Sequence, residues 1–240
     1  MSELIVIGHR GAASLAPENT LPSFDVAQKL NVQMIELDVH MSKDMQLIVI
    51  HDETLNRTTS GRGPVGAHTL AQLKTLDAGV WFKPEFRGSK IPTLEEVYAA
   101  LPKHIGINVE IKTDVTHYPG IEAKVLNVVQ KFHALHRTIV SSFNWESLTL
   151  MHRLEPKLKL GILMHHLEGK VWPMAGLIHA FSLHPPQRLV SSNFVWQAHS
   201  WGYKVYPWVV NDPGRVLKLG AMGVDGVITD CPQIITHYWE

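Results

Sequence analysis

The chain alternates short apolar runs with longer amphipathic segments along most of its length. The apolar runs are rich in Val and Ile, which is typical of strands buried on both faces. Because helical periodicity fills the segments between them, the alternation indicates a parallel sheet with helices outside it. The predicted strands are Leu4–Gly8, Met34–Val39, Leu47–His51, Ile105–Lys112, Thr138–Ser142, Lys159–Met164, Ala180–Leu183, Lys204–Val210 and Gly226–Thr229.

Several of the amphipathic segments begin with recognisable helix caps. The segment from Thr20 has Pro22 in its first turn, and the segment from Thr93 has Glu96 at capping-box spacing. Further helices are predicted over Ile121–Leu135, Asn144–Glu155, Glu168–Ile178, Pro186–Trp201 and Asp212–Gly223.

Nine predicted strands are one too many for an eight-stranded barrel. The segment between Val39 and Leu47 is shorter than the crossover of about a dozen residues that parallel neighbours need. It therefore predicts a β-hairpin that turns near Lys43–Gln46 and places His51 roughly opposite Asp38. The other eight strands fit a TIM (β/α)8 barrel, with the hairpin's return strand outside the parallel set.

Residues 52–92 break the strand and helix rhythm. This stretch is rich in loop residues and contains a single short helical pattern near Leu70–Leu76. Long loops inside compact domains tend to be functional or disordered. We predict one domain over residues 1–240, in which residues 52–92 are a small insertion after the second strand, near the barrel mouth.

Composition narrows the class of protein and of partner. Lys and Arg total 22 and Asp and Glu total 22, so the formal net charge is zero, which argues against nucleic-acid or membrane-surface binding. Cys231 is the sole cysteine, so no intramolecular disulfide can form, as suits a reducing compartment. A signal-peptide pattern and a long apolar run are both missing, so we expect a cytoplasmic protein without stable membrane insertion. The oligomeric state is left open.

Three carboxylates fall inside apolar strands. Glu36 and Asp38 are two positions apart and share one face, as do Glu110 and Lys112. Unpaired charge at buried positions costs several kcal/mol, so each group needs a partner. One interpretation is simple ion pairing of Glu110 with Lys112, and of Glu36 or Asp38 with Arg10. For the whole set we favour a hard divalent cation, because three carboxylates outnumber the lysine beside them.

Two histidines end strands on the same side of the predicted barrel. His9 precedes Arg10, and His51 precedes Asp52. Imidazoles exchange protons near neutral pH, so two of them beside a cation are able to divide acid and base roles. The alternative is two strand-end histidines bonded to backbone. The carboxylates on the same strands favour chemistry, since barrel active sites lie at this end.

Fixed positive charge accompanies these groups. Arg10 and Lys112, together with a divalent cation, suit a phosphate, whose charge must be offset. Trp208 and Phe143 are interpreted either as packing groups at the mouth or as an apolar wall for a small ligand. His184 is included among the candidate ligand-contacting residues, and the alternatives are a supporting group behind the ligand or a simple strand end. Asn19 is interpreted as a loop or cap residue.

Eight segments resemble, in order, the glycerophosphodiester phosphodiesterase family. They extend from Gly8 to Pro232 and so cover nearly the whole chain. Each motif is weak alone, but the ordered set is specific. The segments are GHRG, APENT, IELDVHMSKD, IVIHDETLNRTTSGRG, IPTLEEV, NVEIK, WVVN and GVDGVITDCP.

The resemblance implies a TIM barrel that hydrolyses glycerophosphodiesters, the head groups of deacylated phospholipids, to glycerol 3-phosphate and an alcohol. It implies that Glu36, Asp38 and Glu110 hold one divalent cation, Mg²⁺ or Ca²⁺. It also implies that His9 and His51 act as general acid and base, and the resemblance does not say which is which.

The resemblance further implies that Arg10 and Lys112 contact the phosphate and that Trp208 packs against the glycerol. Two positions depart from the family pattern. Met45 stands where the hairpin turn usually has Gly, and Val209 stands where Thr is more usual. The first makes the turn harder to form, and the second bears on substrate packing.

Two rival functions belong to other classes. A phosphodiesterase of the phospholipase C or D type, acting on lysolipids or intact lipids, would need an apolar or basic docking surface, and the neutral composition offers no sign of one. A non-catalytic barrel that binds phosphorylated ligands would be favoured if a carboxylate or histidine of the set were missing. All five are present.

Overall fold

The computed structural model describes residues 4–114, 116–167 and 169–236. Strands and helices alternate through these ranges as the hydrophobic pattern predicts. The strands are β1 (Ile5–His9), β2 (Met34–Met41), β3 (Leu47–Val49), β4 (Gly106–Ile111), β5 (Thr138–Ser142), β6 (Lys159–Leu163), β7 (Ser182–His184), β8 (Lys204–Val205) and β9 (Gly226–Thr229).

The helices lie between the strands, and their predicted caps are confirmed. Thr20 Oγ1 accepts a hydrogen bond from the Ser23 backbone, and Thr93 and Glu96 form a reciprocal capping box. The helices are α1 (Leu21–Lys29), α2 (Leu70–Thr75), α3 (Leu94–Ala100), α4 (Ile121–Lys131), α5 (Trp145–Leu154), α6 (Val171–Leu177), α7 (Ser192–Ser200), α8 (Pro213–Ala221) and α9 (Pro232–Thr236). The last was not predicted.

The parallel strands form a nearly closed barrel. Their order is β8-β7-β6-β5-β4-β2-β1-β9. Backbone hydrogen bonds join the two ends of this order: Asp225 N donates to Val205 O at 3.1 Å, and Ile228 N donates to Pro207 O at 2.9 Å. The predicted TIM barrel is therefore confirmed.

The hairpin is also confirmed. Strand β3 pairs antiparallel with β2 and lies off the barrel path. Ile50 N donates to Asp38 O at 3.1 Å, so Ile50 lies opposite Asp38 and the predicted register is one position off. In the turn, Met45 has φ = +61°, the left-handed conformation that glycine adopts more easily.

Three predicted boundaries are wrong. The helix expected from Pro186 starts only at Ser192, because Ser191 has extended backbone and its Oγ accepts from Phe194 N at 3.2 Å. Strand β8 is short because Pro185 has no N–H to donate to the Tyr206 carbonyl, so the pairing of β7 with β8 is interrupted and resumes as a bridge between Pro186 and Trp208. Strand β7 starts later than expected, because Ala180 N still bonds the carbonyl of Ala175 at the end of α6. Glu168, the first residue of another predicted helix, lies outside the described residues.

Residues 52–92 carry α2 and a small hydrophobic cluster of their own. Leu55, Val65 and Leu73 in this stretch pack with Ile48 and Ile50 of the hairpin. The stretch is thereby packed against the hairpin. That it is an insertion within a single domain stays a prediction.

The barrel interior is apolar in its middle and polar toward the carboxyl ends of the strands. Ile7, Ile139, Tyr206 and Ile228 form a buried cluster inside it, against which Trp208 packs. Nearer the carboxyl ends of the strands, polar and ionisable side chains line the interior, among them His9, Glu36, Glu110 and Ser141. In the part of the chain that is described, we find no helix long and apolar enough to cross a bilayer.

Candidate active site

Strand register brings the three predicted carboxylates together. Neighbouring β2 and β4 place Asp38 directly beside Glu110, and β1 and β2 place His9 beside Glu36. One oxygen from each of Glu36, Asp38 and Glu110, here called the acidic triad, lies within 4.8 Å of the others. The three residues are only 4%, 1% and 8% exposed. They form a compact set of oxygen donors.

The three carboxyl groups of the acidic triad have different pKa values, because burial, mutual repulsion and the nearby cations affect them unequally. Burial, reinforced by the charge of Asp38, raises the pKa of Glu110 to about 7. Burial and the charges of Asp38 and Glu110 raise the pKa of Glu36 well above its usual range. Burial acts the same way on Asp38, but Arg10 and Lys112 outweigh it and hold the pKa of Asp38 well below its usual range. A divalent cation would relieve the repulsion among the three groups.

Two groups from the loop after β1 hold Asp38. The Asn19 amide nitrogen donates to Asp38 Oδ2 at 2.8 Å, and Arg10 Nε lies 3.3 Å from the same oxygen. Arg10 has φ = +52°, and its backbone N–H donates to Glu36 Oε2 at 3.0 Å. Asn19 is a buried residue of this loop, and its hydrogen bond to Asp38 supports the triad.

Lys112 approaches the acidic triad from β4. Its Nζ lies 2.7 Å from Glu110 Oε1 and 3.8 Å from Asp38 Oδ1. Burial would lower the pKa of Lys112, but the charges of Glu110 and Asp38 raise it, so the ammonium stays charged. The ion pairs considered as the simpler interpretation are therefore present, within a cluster that also keeps its three carboxylates together.

His9 is paired with an aspartate from the far end of the chain. His9 Nδ1 lies 2.6 Å from Asp230 Oδ1, and Asp230 Oδ2 accepts from Asn211 Nδ2 at 2.7 Å. His9 Nε2 lies 4.0 Å from Glu36 Oε2, so it faces the triad. Sequence reasoning missed Asp230. The signal was available, because β9 neighbours β1 in a closed barrel and Asp230 follows its last residue, Thr229.

His51 has a matching arrangement. Its Nδ1 lies 2.7 Å from Asp52 Oδ1, and its Nε2 lies 3.4 Å from Lys112 Nζ. Since an ammonium has only protons to offer, Nε2 accepts and Nδ1 donates to Asp52. Burial, together with the charges of Arg10 and Lys112, lowers the pKa of His51. In both histidines a carboxylate bonded to Nδ1 orients the ring, which leaves Nε2 to face the space between the site residues.

A second arginine links the two sides of the site. Arg57 donates through Nε to Asp52 Oδ2 at 2.8 Å, and through both terminal nitrogens to Glu18 at 2.8 Å each. Glu18 in turn accepts from Arg10 at 2.7 Å. We call the series Arg10, Glu18, Arg57, Asp52 the charge chain. Neither Glu18 nor Arg57 was predicted as a site residue, because their contact joins segments 39 positions apart.

These groups surround a cavity of about 110 Å³, the inner cavity. Its polar side brings together both histidines, both cations and two carboxylates, and its apolar side is formed by rings and aliphatic groups. The lining residues are His9, Arg10, Glu36, His51, Asn108, Glu110, Lys112, Ser141, Phe143, Leu163, Trp208, Val209 and Ile228.

A second cavity of about 320 Å³, the outer cavity, adjoins the first. The two cavities share four lining residues, which are His51, Lys112, Phe143 and Trp208. The other residues lining the outer cavity are His40, Asp52, Glu53, Asp114 and His165. A wider groove of about 460 Å³ lies outside the barrel near β3, α3 and α4 and, within the described ranges, contains no predicted site residue.

Of the remaining predicted residues, Phe143 and Trp208 line the cavities and His184 does not, among the residues described. Phe143 and Trp208 meet edge to face at 5.8 Å and form the apolar wall. His184 is fully buried, and among the residues described it lines neither cavity. Its Nε2 pairs with Ser182 Oγ at 2.8 Å, and its carbonyl accepts from Trp208 Nε1 at 2.7 Å. The structure thus places His184 behind Trp208, which corrects the expectation of a direct ligand contact.

Comparison with known proteins agrees with this geometry. Residues 9–234 match the model of the glycerophosphoryl diester phosphodiesterase family. A glycerophosphodiester phosphodiesterase of Caldanaerobacter subterraneus is 40% identical over 97% of this chain and 96% of that protein. One from Bacillus subtilis is 37% identical over 96% of this chain and 85% of that protein.

Solved structures show the same architecture. A phosphodiesterase of Oleispira antarctica, in complex with the product sn-glycerol-3-phosphate, matches with a TM-score of 0.88 at 32% identity, covering 97% of this chain and 95% of that one. A glycerophosphodiester phosphodiesterase of Agrobacterium tumefaciens matches with a TM-score of 0.87 at 29% identity, covering 98% and 100%. The chain is a phosphodiesterase and belongs to the glycerophosphoryl diester phosphodiesterase family.

Proposed function

We propose that the chain hydrolyses glycerophosphodiesters to glycerol 3-phosphate and an alcohol, with the help of one divalent cation, Mg²⁺ or Ca²⁺. The observation that carries this proposal is the acidic triad, flanked by Arg10 and Lys112 and facing two carboxylate-oriented histidines. The Oleispira antarctica structure, which holds sn-glycerol-3-phosphate, supports the product. The named relatives favour this reaction over the phospholipase alternative.

Glu36, Asp38 and Glu110 would hold the cation. Carboxylate oxygens are the ligands that Mg²⁺ and Ca²⁺ prefer, and burial of all three leaves charge that protein cations do not fully offset. A bound divalent cation supplies Lewis-acid stabilisation of the charge on a phosphate oxygen. The residues present fit such an ion.

Arg10 and Lys112 would bind the phosphate. Both side chains line the inner cavity and remain charged, and both are largely shielded from solvent, with 16% and 12% of their side chains exposed. Interactions with a phosphate are stronger there than at an exposed site, because water screens them less. The guanidinium of Arg10 is also held in place by Glu18.

His9 and His51 would move the protons. Each carries a proton on Nδ1, fixed by Asp230 or Asp52, and presents Nε2 to the inner cavity. One imidazole takes the proton of the attacking hydroxyl, which belongs to water or to the neighbouring hydroxyl of the glycerol. The other carries a second proton on Nε2, as an imidazolium, and gives it to the leaving alcohol. Where the glycerol hydroxyl attacks, a cyclic phosphate forms, and water then opens it to glycerol 3-phosphate with the two proton transfers reversed.

Phe143 and Trp208 would pack against the glycerol carbons. The Trp208 ring is fixed by its hydrogen bond to the His184 carbonyl and by its edge contact with Phe143. A fixed apolar wall opposite two cations orients an amphipathic ligand, with its phosphate on one side and its carbons on the other.

The test is an assay of glycerol 3-phosphate release from several glycerophosphodiesters, in metal-stripped protein with and without Mg²⁺ or Ca²⁺. We expect turnover that disappears in EDTA and returns with either ion. His9→Ala and His51→Ala should each lose nearly all turnover while keeping the wild-type melting profile. Full activity in either variant would exclude its proposed role, and release of no glycerol 3-phosphate from any diester would exclude the reaction.

A further inference from the structure

The outer cavity places negative charge beside the phosphate-binding cations. Glu53 and Asp114 line it and are exposed to solvent. Across the described ranges, neither side chain forms a hydrogen bond or an ion pair with another residue. Both carboxylates are therefore available to a ligand in this cavity.

The other charges around the outer cavity are already matched. Asp52 is held by Arg57 and His51, and the Lys112 ammonium lies 2.7 Å from Glu110. Lys112 attracts Asp114 at longer range but is already paired with Glu110, so Glu53 and Asp114 leave an excess of negative charge at one end of the two adjoining cavities. Arg10, which lines only the inner cavity, supplies positive charge at the other end.

Three aromatic rings form the wall facing these carboxylates. Phe143 and His165 stack with their centroids 4.2 Å apart, and Trp208 meets them edge to face at 5.8 Å and 6.2 Å. Carboxylates beside aromatic rings are the combination that binds organic ammonium ions, through charge attraction and contact of ring faces with methyl or methylene groups.

We propose that the outer cavity is the subsite for the leaving alcohol and that it selects alcohols carrying an ammonium group. This inference rests on the proposed function. A zwitterionic diester carries negative charge on its phosphate and positive charge a few bonds away. The cations of the inner cavity would bind the phosphate of such a substrate. Glu53 and Asp114 of the outer cavity would bind its ammonium group.

The same arrangement disfavours other head groups. A neutral polyol gains little from unpaired carboxylates beyond hydrogen bonds that water also supplies. A head group with its own carboxylate or phosphate is repelled by Glu53 and Asp114. Preference therefore comes from attraction of the ammonium and from repulsion of anionic alternatives.

The experiment compares kcat/KM for sn-glycero-3-phosphoethanolamine and sn-glycero-3-phosphocholine with kcat/KM for sn-glycero-3-phosphoglycerol, whose head group is neutral. The same ratios are then measured in the double variant Glu53→Gln/Asp114→Asn. We expect the wild type to prefer the two ammonium substrates. In the double variant the preference should fall roughly tenfold, which corresponds to about 1.4 kcal/mol.

The control is Glu85→Gln/Asp25→Asn, which removes two exposed carboxylates that do not line the outer cavity. It should keep the wild-type ratios, and so distinguish a local contact from a change in overall charge. An unchanged ratio in Glu53→Gln/Asp114→Asn would overturn the inference, even with glycerol 3-phosphate still released. A chain that releases glycerol 3-phosphate from none of the three substrates would instead overturn the proposed function.

Discussion

His9 Nδ1 and Asp230 Oδ1 lie 2.6 Å apart, although 221 positions separate the two residues in the chain. The contact exists because β9 pairs with β1 and so completes this side of the barrel, with Gly8 beside Thr229. Barrel closure therefore does more than bury strands. It supplies the carboxylate that orients one of the two imidazoles at the mouth.

The first prediction concerns this contact. Asp230→Asn keeps the shape of the side chain but removes the negative charge that holds the Nδ1 proton of His9 and stabilises the imidazolium. Because general acid–base catalysis by a positioned group contributes roughly 10²- to 10⁴-fold, kcat should fall by a substantial part of that range. Steady-state kinetics of the purified variant measure the loss.

Asp25→Asn is the matched control, since Asp25 is an exposed residue paired with Lys29 on α1. It should leave kcat at the wild-type value. If Asp230→Asn has the wild-type kcat as well, the carboxylate does not orient a catalytic imidazole.

The second prediction concerns the charge chain. Arg57→Lys retains a cation but cannot contact Asp52 and donate two bonds to Glu18 at once. Loosening Asp52 on one side and Arg10 on the other should lower kcat/KM by roughly 10- to 100-fold, the loss typical of groups that support the residues contacting a ligand. A lysine variant at Arg87, an exposed arginine that is not a member of the charge chain, should have wild-type kinetics.

Arg57→Gln should lose more than Arg57→Lys, because it removes the charge as well as the fork. Equal activity of Arg57→Lys and wild type would show that Arg57 only attaches residues 52–92 to the barrel. Thermal denaturation of each variant separates loss of fold from loss of positioning.

Much of the barrel follows from local pattern. Strands buried on both faces read as short Val- and Ile-rich runs, and Thr20 and Thr93 mark their helices through capping geometry that depends on residues a few positions away. The boundaries that failed depend on one residue each. Ser191 caps a helix later than periodicity suggests, and Pro185 interrupts the pairing of β7 with β8.

The candidate site likewise contains residues that the local sequence pattern reveals and residues that it does not. Glu36 with Asp38, and Glu110 with Lys112, are visible because alternation in one strand places them on one face. Asp230 and the contact of Arg57 with Glu18 are not visible in that way, since each joins segments that only the closed barrel and residues 52–92 bring together. His184 was misjudged because a strand-end position does not reveal whether a side chain reaches the cavity or packs behind it.

The third prediction concerns pH and metal. Glu110 has a pKa of about 7 in the folded chain against an ordinary value of 4.5. Between these values the folded state binds a proton that the unfolded state has lost, so this group's contribution makes the metal-free protein less stable as pH rises, by roughly 3 kcal/mol in all. A cation needs the ionised carboxylates, so protons compete with it below pH 7.

Mg²⁺ or Ca²⁺ should therefore raise the Tm of metal-stripped protein more at pH 8 than at pH 6. Differential scanning calorimetry at a fixed metal concentration measures both shifts. Glu110→Gln should bind the ion more weakly and show a smaller difference between the two pH values than the wild type, with the remainder coming from Glu36, whose pKa is also raised. Equal shifts in the wild type at both pH values would show that Glu110 is not a ligand.

The fourth prediction concerns the hairpin. Met45 is 48% exposed and has φ = +61°, a conformation that costs a residue with a side chain roughly 1–2 kcal/mol and costs glycine little. Met45→Gly should raise the free energy of unfolding by roughly 1 kcal/mol or less, because glycine also makes the unfolded chain more flexible. Urea denaturation measures the change, and kcat should stay at the wild-type value.

Met45→Ala serves as the comparison, since it shortens the side chain without making the left-handed turn easier. It should be no more stable than the wild type. A Met45→Gly variant that is less stable than Met45→Ala would show that the turn conformation is not strained.

The central claim is that the acidic triad holds one divalent cation on which release of glycerol 3-phosphate depends. Titrating metal-stripped protein with Mg²⁺ or Ca²⁺, while measuring bound ion and glycerol 3-phosphate release in the same samples, tests it most directly. We expect activity to rise in proportion to bound ion and to level off at one ion per chain, with Glu36→Gln and Glu110→Gln shifted to higher metal concentration. Full activity without bound ion, or an ion bound at the triad without any gain in activity, would contradict the claim.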